Sequence, residues 1–434
     1  MNKHILKLAL PSILANITIP LVGLVDTAIV GHLSDAVAIG GIAVGTMLFD
    51  LLYWNFGFLR VGSSGQTAQA YGREDWNECA AYLRHYVRIA LAAAMVIWLI
   101  QWLFVTLVLK AVPCSDEVAG FARKYFFIRV WAAPATLTLM ALKGWFIGMQ
   151  DTVSPMATDI TVNVVNIAAS YLLAVYTPLS VMGVAYGTLI AQFTGLLLAV
   201  VILLHKYRRF LRLAERIRLH TFGMNRDLFV RSLCFMVVYV GFTSLASGYG
   251  DEELAVASLL MKLMMFFSFF VDGFAYAGEA LTGRFIGMQD SGQVRRAVHW
   301  LWIWSMGTAL LFTAFFAFGN DLCLRLLTND TAVLRLAHTY RWWLIMMPLA
   351  SAPAFMWDGI YIGATASKAI RNAMIGAACG FVVVYAALYS WWGIQALYTA
   401  YFAHLIARSV YLTIKWKNIY DSATRTSPVE SSQE

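Results

Sequence analysis

FGFLRVGSSGQTAQAY, residues 56–71, returns in outline as DGFAYAGEALTGRF, residues 272–285, about 216 positions later in a chain of 434 residues. That offset is close to half the length, so the chain reads as a tandem repeat of two similar halves. Two further pairs keep nearly the same spacing: Pro134 with Pro348, and Gly144-Trp-Phe-Ile-Gly148 with Gly359-Ile-Tyr-Ile-Gly363, the latter 215 apart. Self-similarity at a fixed period in a multi-span protein points toward transport.

Composition decides the solvent of these halves. Apolar residues make up 60% of the chain and charged ones 13%, where soluble domains carry roughly 25% charge, and mean hydropathy is +0.67. A spanning helix needs ~20 apolar residues. Such runs fall at roughly 5–30, 39–71, 86–109, 119–142, 156–176, 181–204, 228–248, 255–283, 298–318, 335–357, 369–389 and 394–414. The fold class is therefore all-α and polytopic, with twelve transmembrane helices in two six-helix lobes. Six is even, so both lobes enter from the same side and are related by a pseudo-twofold along the membrane normal. The division expected is an N-lobe at 1–204, a basic cytoplasmic linker at 205–227, a C-lobe at 228–418 and a disordered tail at 419–434.

The net charge of +8 is not a nucleic-acid signal, because it follows topology. With the N-terminus inside, 23 of the 32 basic residues fall on the cytoplasmic side, among them Arg212, Arg216, Arg218, Arg226 and Arg231 of the central connection and Arg408 near the tail. This positive-inside bias fits a multi-pass plasma-membrane protein with both termini cytoplasmic. Met1 to Lys7 is a short basic flank without a small-residue cleavage site, so the first helix is expected to be retained. The stretch from His205 to Asp227 is amphipathic, which suits either a lipid-surface helix between mobile lobes or a plain basic loop. The five cysteines have no metal-type spacing. Cys114 and Cys323 fall in equivalent outside connections, which leaves a bridge between them open beside the reading of scattered thiols.

Ionisable groups inside a bilayer cost ~2.5–3.5 kcal/mol each on insertion scales and rarely lack a role. Asp26 lies in the first span, Asp50 and Arg60 in the second, Lys262, Asp272 and Glu279 in the eighth and Asp358 at the inner end of the tenth. Lys143 and Arg408 are close enough to helix ends to snorkel. Asp26 is the sharpest candidate, since Leu24-Val25 and Ala28-Ile29-Val30 around it are apolar. A carboxylate so placed can exchange a proton or hold a bare cation with neutral oxygens. Asn163, Asn166 and Ser170 share one helical face, and Thr188 in the next span is positioned to meet them; the same polar stripe also serves as helix-packing glue. Pro20 lies under two turns before Asp26, where a kink can respond to the carboxylate's state. Arg60 with Glu279, or Asp272 with Lys262, are possible buried pairs. Tyr53, Trp54, Phe267 and Tyr276 offer faces to flat or cationic ligands. No metal-type His or Cys spacing, phosphate loop or nucleophile elbow is present.

The set VDTAIVGHL at 25–33, GFLRVGSSGQTAQAYG at 57–72, GWFIGMQDT at 144–152, DGFAYAGEALTGR at 272–284 and DGIYIGAT at 358–365 resembles the multidrug and toxic compound extrusion (MATE) transporters, specifically their DNA-damage-inducible F-like branch. The resemblance covers nearly the whole chain. It implies two lobes in a V that open alternately to either side and export amphiphilic, mostly cationic compounds against inward H+ or Na+. It also implies that Asp26 is the coupling aspartate, with Asn166 and Thr188 as neutral members of the site. Ser170 departs from the branch, whose members usually carry a second aspartate there, so the site keeps one carboxylate. Asp358 matches an aspartate of a C-lobe cation site in other branches, but the seventh span supplies no acid to complete that site.

The reading is a proton-coupled, or less simply Na+-coupled, multidrug antiporter acting as a monomer, with no cofactor, no resident metal and no nucleic-acid partner. A lipid-linked oligosaccharide flippase of the same superfamily would want an arginine-rich cavity, and Arg60 alone is a clear mid-helix candidate. A membrane enzyme would need a clustered catalytic set, and a scaffold would have little need of a twofold repeat with buried acids.

Overall fold

A computed structural model of the chain describes residues 1–33, 36–112, 114–213, 219, 221–328 and 330–424. Among them all regular structure is helical. Six long helices form the first half: α1 Asn2–Leu33, α2 Val37–Gly72, α3 Trp76–Ala111, α4 Asp116–Gly148, α5 Val153–Tyr176 and α6 Met182–Lys206. The second half has α7 Phe222–Ser247, α8 Asp251–Gly287, α9 Ser291–Leu327, α10 Arg341–Gly363, α11 Ser367–Trp392 and α12 Ile394–Thr424. Ten of these are long and apolar enough to cross a membrane. The other two, α10 and α12, are diluted by prolines and charge: Pro348, Pro353 and Asp358 in one, His404, Arg408 and Lys415 in the other. The twelve expected helices are all present.

The repeat is visible in local geometry. Asp75 caps α3 by accepting from Glu78 N, and Asp290 caps α9 by accepting from Gln293 N, both at 2.9 Å. Ser115 caps α4, and Asp330 caps the short helix Thr331–Thr339 that leads into α10, in the same way. Left-handed backbone recurs at Glu74 and Gln289 (φ 58° and 57°) and at Gln150 and Thr365 (φ 63° and 53°). Every one of these pairs is 215 residues apart. The opening stretch therefore repeats at 215 and not at 216, because the Gly-Phe dipeptides at 57–58 and 273–274 dominate a comparison by residue type alone. Backbone packing keeps the 215 register: a Cβ on Gly144 would strike the carbonyl oxygen of Arg60, and one on Gly359 that of Ala275.

Two compact units divide the chain, one from Leu14–Thr67 and Asp75–His220 (the N-unit), the other from Met1–Ile13, Ala68–Glu74 and Thr221–Glu434 (the C-unit). The ends of α1 and α2 thus belong with the second half, against the expected boundary at 204. The reason is packing. Gly72 lies on the backbone of Arg284 and Gly287 on that of Gln69, and Gln69 Nε2 donates to the Gly363 carbonyl at 2.9 Å.

Two expectations change. The linker shortens, because α6 runs to Lys206, a short helix follows at Arg208–Leu211, and α7 begins at Phe222; Arg216 and Arg218 lie outside the described residues. The tail expected to be disordered from 419 continues α12 to Thr424, and 425–434 lie outside the described residues. All five cysteines, Cys114 and Cys323 included, are free thiols.

Candidate functional site

The site in the N-unit is built on a close approach of α5 and α6. Gly183 and Gly187, four residues apart, share one face of α6. A Cβ on Gly187 would lie 2.5 Å from the backbone nitrogen of Ser170, and one on Gly183 2.6 Å from that of Ala174. Small residues at this spacing let helix backbones touch in a membrane. The contact presses Ser170 and Asn166 against Thr188, all three buried. Asn166 Nδ2 donates to Thr188 Oγ1 at 2.9 Å, and Thr188 Oγ1 donates to the Val184 carbonyl at 3.1 Å.

Asp26 of α1 faces Ser170. Asp26 Oδ1, Ser170 Oγ and Asn166 Oδ1 are buried with no hydrogen-bond partner among the described residues. Three oxygens grouped in this way can accept from a donor or hold a cation. A proton on Asp26 supplies a donor. Asn163, on the same face of α5, is used otherwise: its Nδ2 donates to Thr18 Oγ1 at 2.5 Å, and Thr18 Oγ1 donates to the Ala15 carbonyl at 2.7 Å. That ties α5 to α1 just before Pro20.

The residue that sequence reading missed is Arg129. It lies half-buried on α4, with its charge in reach of Asp26, Asp50 and Tyr53. Nη1 donates to Tyr125 Oη at 3.1 Å, and Cζ sits 4.7 Å above the Phe49 ring. The signal was available: Arg129 falls in the middle of the expected span 119–142, at a depth from which snorkelling is difficult. Asp26 is thus without a basic neighbour in sequence but not in space.

Other candidates are placed differently. Asp358 receives Arg231 Nη2 from α7 and Arg408 Nη2 from α12, the latter at 2.6 Å. Both arginines had been assigned to the cytoplasmic surface; both are drawn into the C-unit because a buried carboxylate needs counter-charge. Lys143, taken as free to snorkel, instead pairs with Asp159 at 2.5 Å. Lys262 and Asp272 cannot pair, since ten residues of one continuous α8 separate them by ~15 Å. Glu279 is 1% exposed. Phe267 is fully buried against Phe312, with ring centroids 5.3 Å apart, so it is core and not lining. Tyr276, Asp272 and Arg60 are partly buried. Tyr53 stacks on Phe49 at 5.6 Å with its hydroxyl unpaired, and Trp54 next to it is 36% exposed.

Comparison with known proteins agrees with this architecture. The profile of the MatE family matches twice, at residues 11–172 and 228–388, once in each half. "DNA damage-inducible protein F" of Escherichia coli (strain K12) is 33% identical over 98% of this chain and 94% of its own. "Multidrug and toxin extrusion protein 1" of Homo sapiens is 23% identical over 73% of this chain and 55% of its own. The solved structure of the "Outward-facing conformation of a multidrug resistance MATE family transporter of the MOP superfamily" superposes with a TM-score of 0.88 at 17% identity, covering 98% of this chain and 97% of the other.

Proposed function

The chain belongs to the MatE family, and on that premise we propose that this multi-pass membrane transporter exports amphiphilic, cationic organic compounds in exchange for protons. It acts by alternating access in a bacterial inner membrane, with both termini cytoplasmic. The observation that carries the coupling ion is the N-unit site itself. Asp26 is its single anionic oxygen donor, and Asn166, Ser170 and Thr188 are neutral. Hard cations take most of their affinity from charged oxygen, whereas one desolvated carboxylate suffices to bind a proton.

The energetics suffice for transport. Each inward proton is worth ~1.4 kcal/mol per pH unit and ~2.3 kcal/mol per 100 mV, enough for about a hundredfold substrate gradient under ordinary bacterial conditions. Purified protein in liposomes tests the reading, with dye efflux driven separately by a pH gradient and by a Na+ gradient. Efflux is expected with the pH gradient in Na+-free buffer. Efflux driven by Na+ at equal pH, persisting with a protonophore, would overturn proton coupling.

A further inference from the structure

Asp50 is a carboxylate without a use in the site so far described. It lies on α2, inside a membrane span, yet is exposed, and it makes no hydrogen bond or ion pair with the described residues. An ionised side chain at that depth does not face hydrocarbon; it faces water or a ligand. Phe49 precedes it directly, and Tyr53 and Trp54 follow it by one turn of α2. Arg129 stacks on Phe49, the residue before Asp50, and its Nη1 donates to Tyr125 Oη, which leaves its charge to act on Asp50 and Asp26 together.

Both helices that carry these charges change winding at the same place. A 3-10 segment, Trp54–Gly57, begins directly after Tyr53 in α2, and another, Val130–Ala132, directly after Arg129 in α4. A tight turn within a long helix is a common hinge. The positions in α8 equivalent to Trp54–Gly57 are continuous helix, so that segment has no counterpart in the second half.

We propose that Arg129 is a counter-ion shared by Asp26 and Asp50, and that Asp50 is the carboxylate that receives the positive head of the exported compound. The inference rests on the proton-coupled reading above and gives it a mechanism. Among the described residues the charged groups that meet here are Asp26, Asp50 and Arg129, beside the phenols of Tyr53 and Tyr125. With Asp26 ionised the cluster carries one net negative charge, and with Asp26 protonated it carries none. Asp26 and Arg129 lie among apolar side chains, where an uncompensated charge is costly, so the cluster favours one proton or one monovalent organic cation, not both. Protonation of Asp26 leaves Arg129 to Asp50 alone, which neutralises the carboxylate and releases the cation. Loss of the proton draws Arg129 back toward Asp26 and frees Asp50 to bind again.

The test is equilibrium binding of tetraphenylphosphonium, a permanent cation, to the purified full-length protein between pH 5.5 and 8.5. Wild type is expected to bind more tightly as pH rises. Asp50→Asn is expected to weaken binding at high pH by about tenfold or more, the loss of one charge-assisted contact, and Asp50→Glu to restore it. Arg129→Gln is expected to bind at all these pH values with the pH dependence flattened, and Arg129→Lys to keep the wild-type profile. If Asp50→Asn binds as wild type does, or Arg129→Gln keeps the full pH dependence, the shared counter-ion is wrong although proton coupling stands. If wild type itself binds without pH dependence, both readings fall.

Discussion

Arg408 on α12 and Asp358 on α10 meet at 2.6 Å, and Arg231 on α7 donates to the same carboxylate oxygen. Arg408 also donates to the Ala354 carbonyl at 3.2 Å. One buried acid therefore ties three helices of the C-unit together. Its charge is spent within the unit, which sets Asp358 apart from Asp26, which makes no ion pair of this kind among the described residues.

Removing one partner from a buried ion pair costs about 3–5 kcal/mol because the other charge is stranded. Asp358→Asn leaves two guanidinium groups facing each other and is expected to lower the thermal midpoint of the purified protein clearly. Scanning fluorimetry in detergent measures this. A midpoint equal to wild type would show that water, not Asp358, compensates the arginines.

Asp26→Asn should behave in the opposite way. Arg129 keeps Asp50 as a counter-charge when Asp26 is neutralised, so the thermal midpoint is expected to stay near that of wild type. Efflux driven by a pH gradient is expected to vanish, because the amide cannot take up the proton. A variant that unfolds early, or one that still pumps, contradicts the assignment of Asp26.

The contrast shows what was legible in the sequence. Helix number, the repeat and the polar face of α5 followed from hydropathy, period and helical spacing, which are properties of residue type along one strand of chain. Asp26 was legible for the same reason, as a charge among apolar neighbours. Arg129, Arg231 and Arg408 were not recognised as intramembrane partners, because a counter-charge is chosen in space across helices that sequence places 50 to 127 residues apart. The exchange of α1 and α2 ends into the second unit was hidden likewise, since it depends on Gly72 and Gly287 admitting each other's backbones.

Gly187 separates packing from chemistry. Adding a branched side chain by Gly187→Val drives it into Ser170, and overpacking of this kind costs about 1–3 kcal/mol. The variant is expected to lose both stability and transport. Gly120→Val is the control: a Cβ there meets nothing within 4 Å, so stability should hold. Equal loss in both would mean that the α5–α6 contact is not the tight one.

Asp151 predicts an acid limit to stability in the connection between α4 and α5. Burial pushes its carboxyl up, but Lys206, Ser154 and Tyr207 donate to it and hold it below the ordinary carboxylate range. Lys206 Nζ is 2.7 Å away and the Tyr207 hydroxyl 2.8 Å. A depressed group stabilises the fold above its unfolded value and loses that contribution as pH falls through the folded one. The thermal midpoint should therefore be insensitive to this group at neutral pH and drop below about pH 4. Asp151→Asn is expected to be less stable at pH 7 and to lose part of the acid-dependent drop. An unchanged slope in the variant would assign the acid sensitivity to other carboxylates.

Ser170→Asp asks whether a missing carboxylate sets the ion. Ser170 faces Asp26 from α5, so an aspartate there adds a second anionic oxygen donor beside the neutral oxygens of Asn166 and Thr188. The cluster of Asp26, Asp50 and Arg129 then carries two negative charges where it carried one, and hard cations take their affinity from charged oxygen. The substitution is expected to create Na+ binding, seen as a thermal midpoint that rises with NaCl but not with choline chloride; a ligand at a hundredfold its Kd stabilises by about 2.7 kcal/mol. Efflux by the variant should then respond to a Na+ gradient at equal pH, while wild type does not. Because Ser170 lies against Gly187, the monodispersity of the variant is checked first, and Ser170→Asn serves as the neutral variant of equal size. A Na+-dependent shift in Ser170→Asn as large as in Ser170→Asp would refute the role of charge.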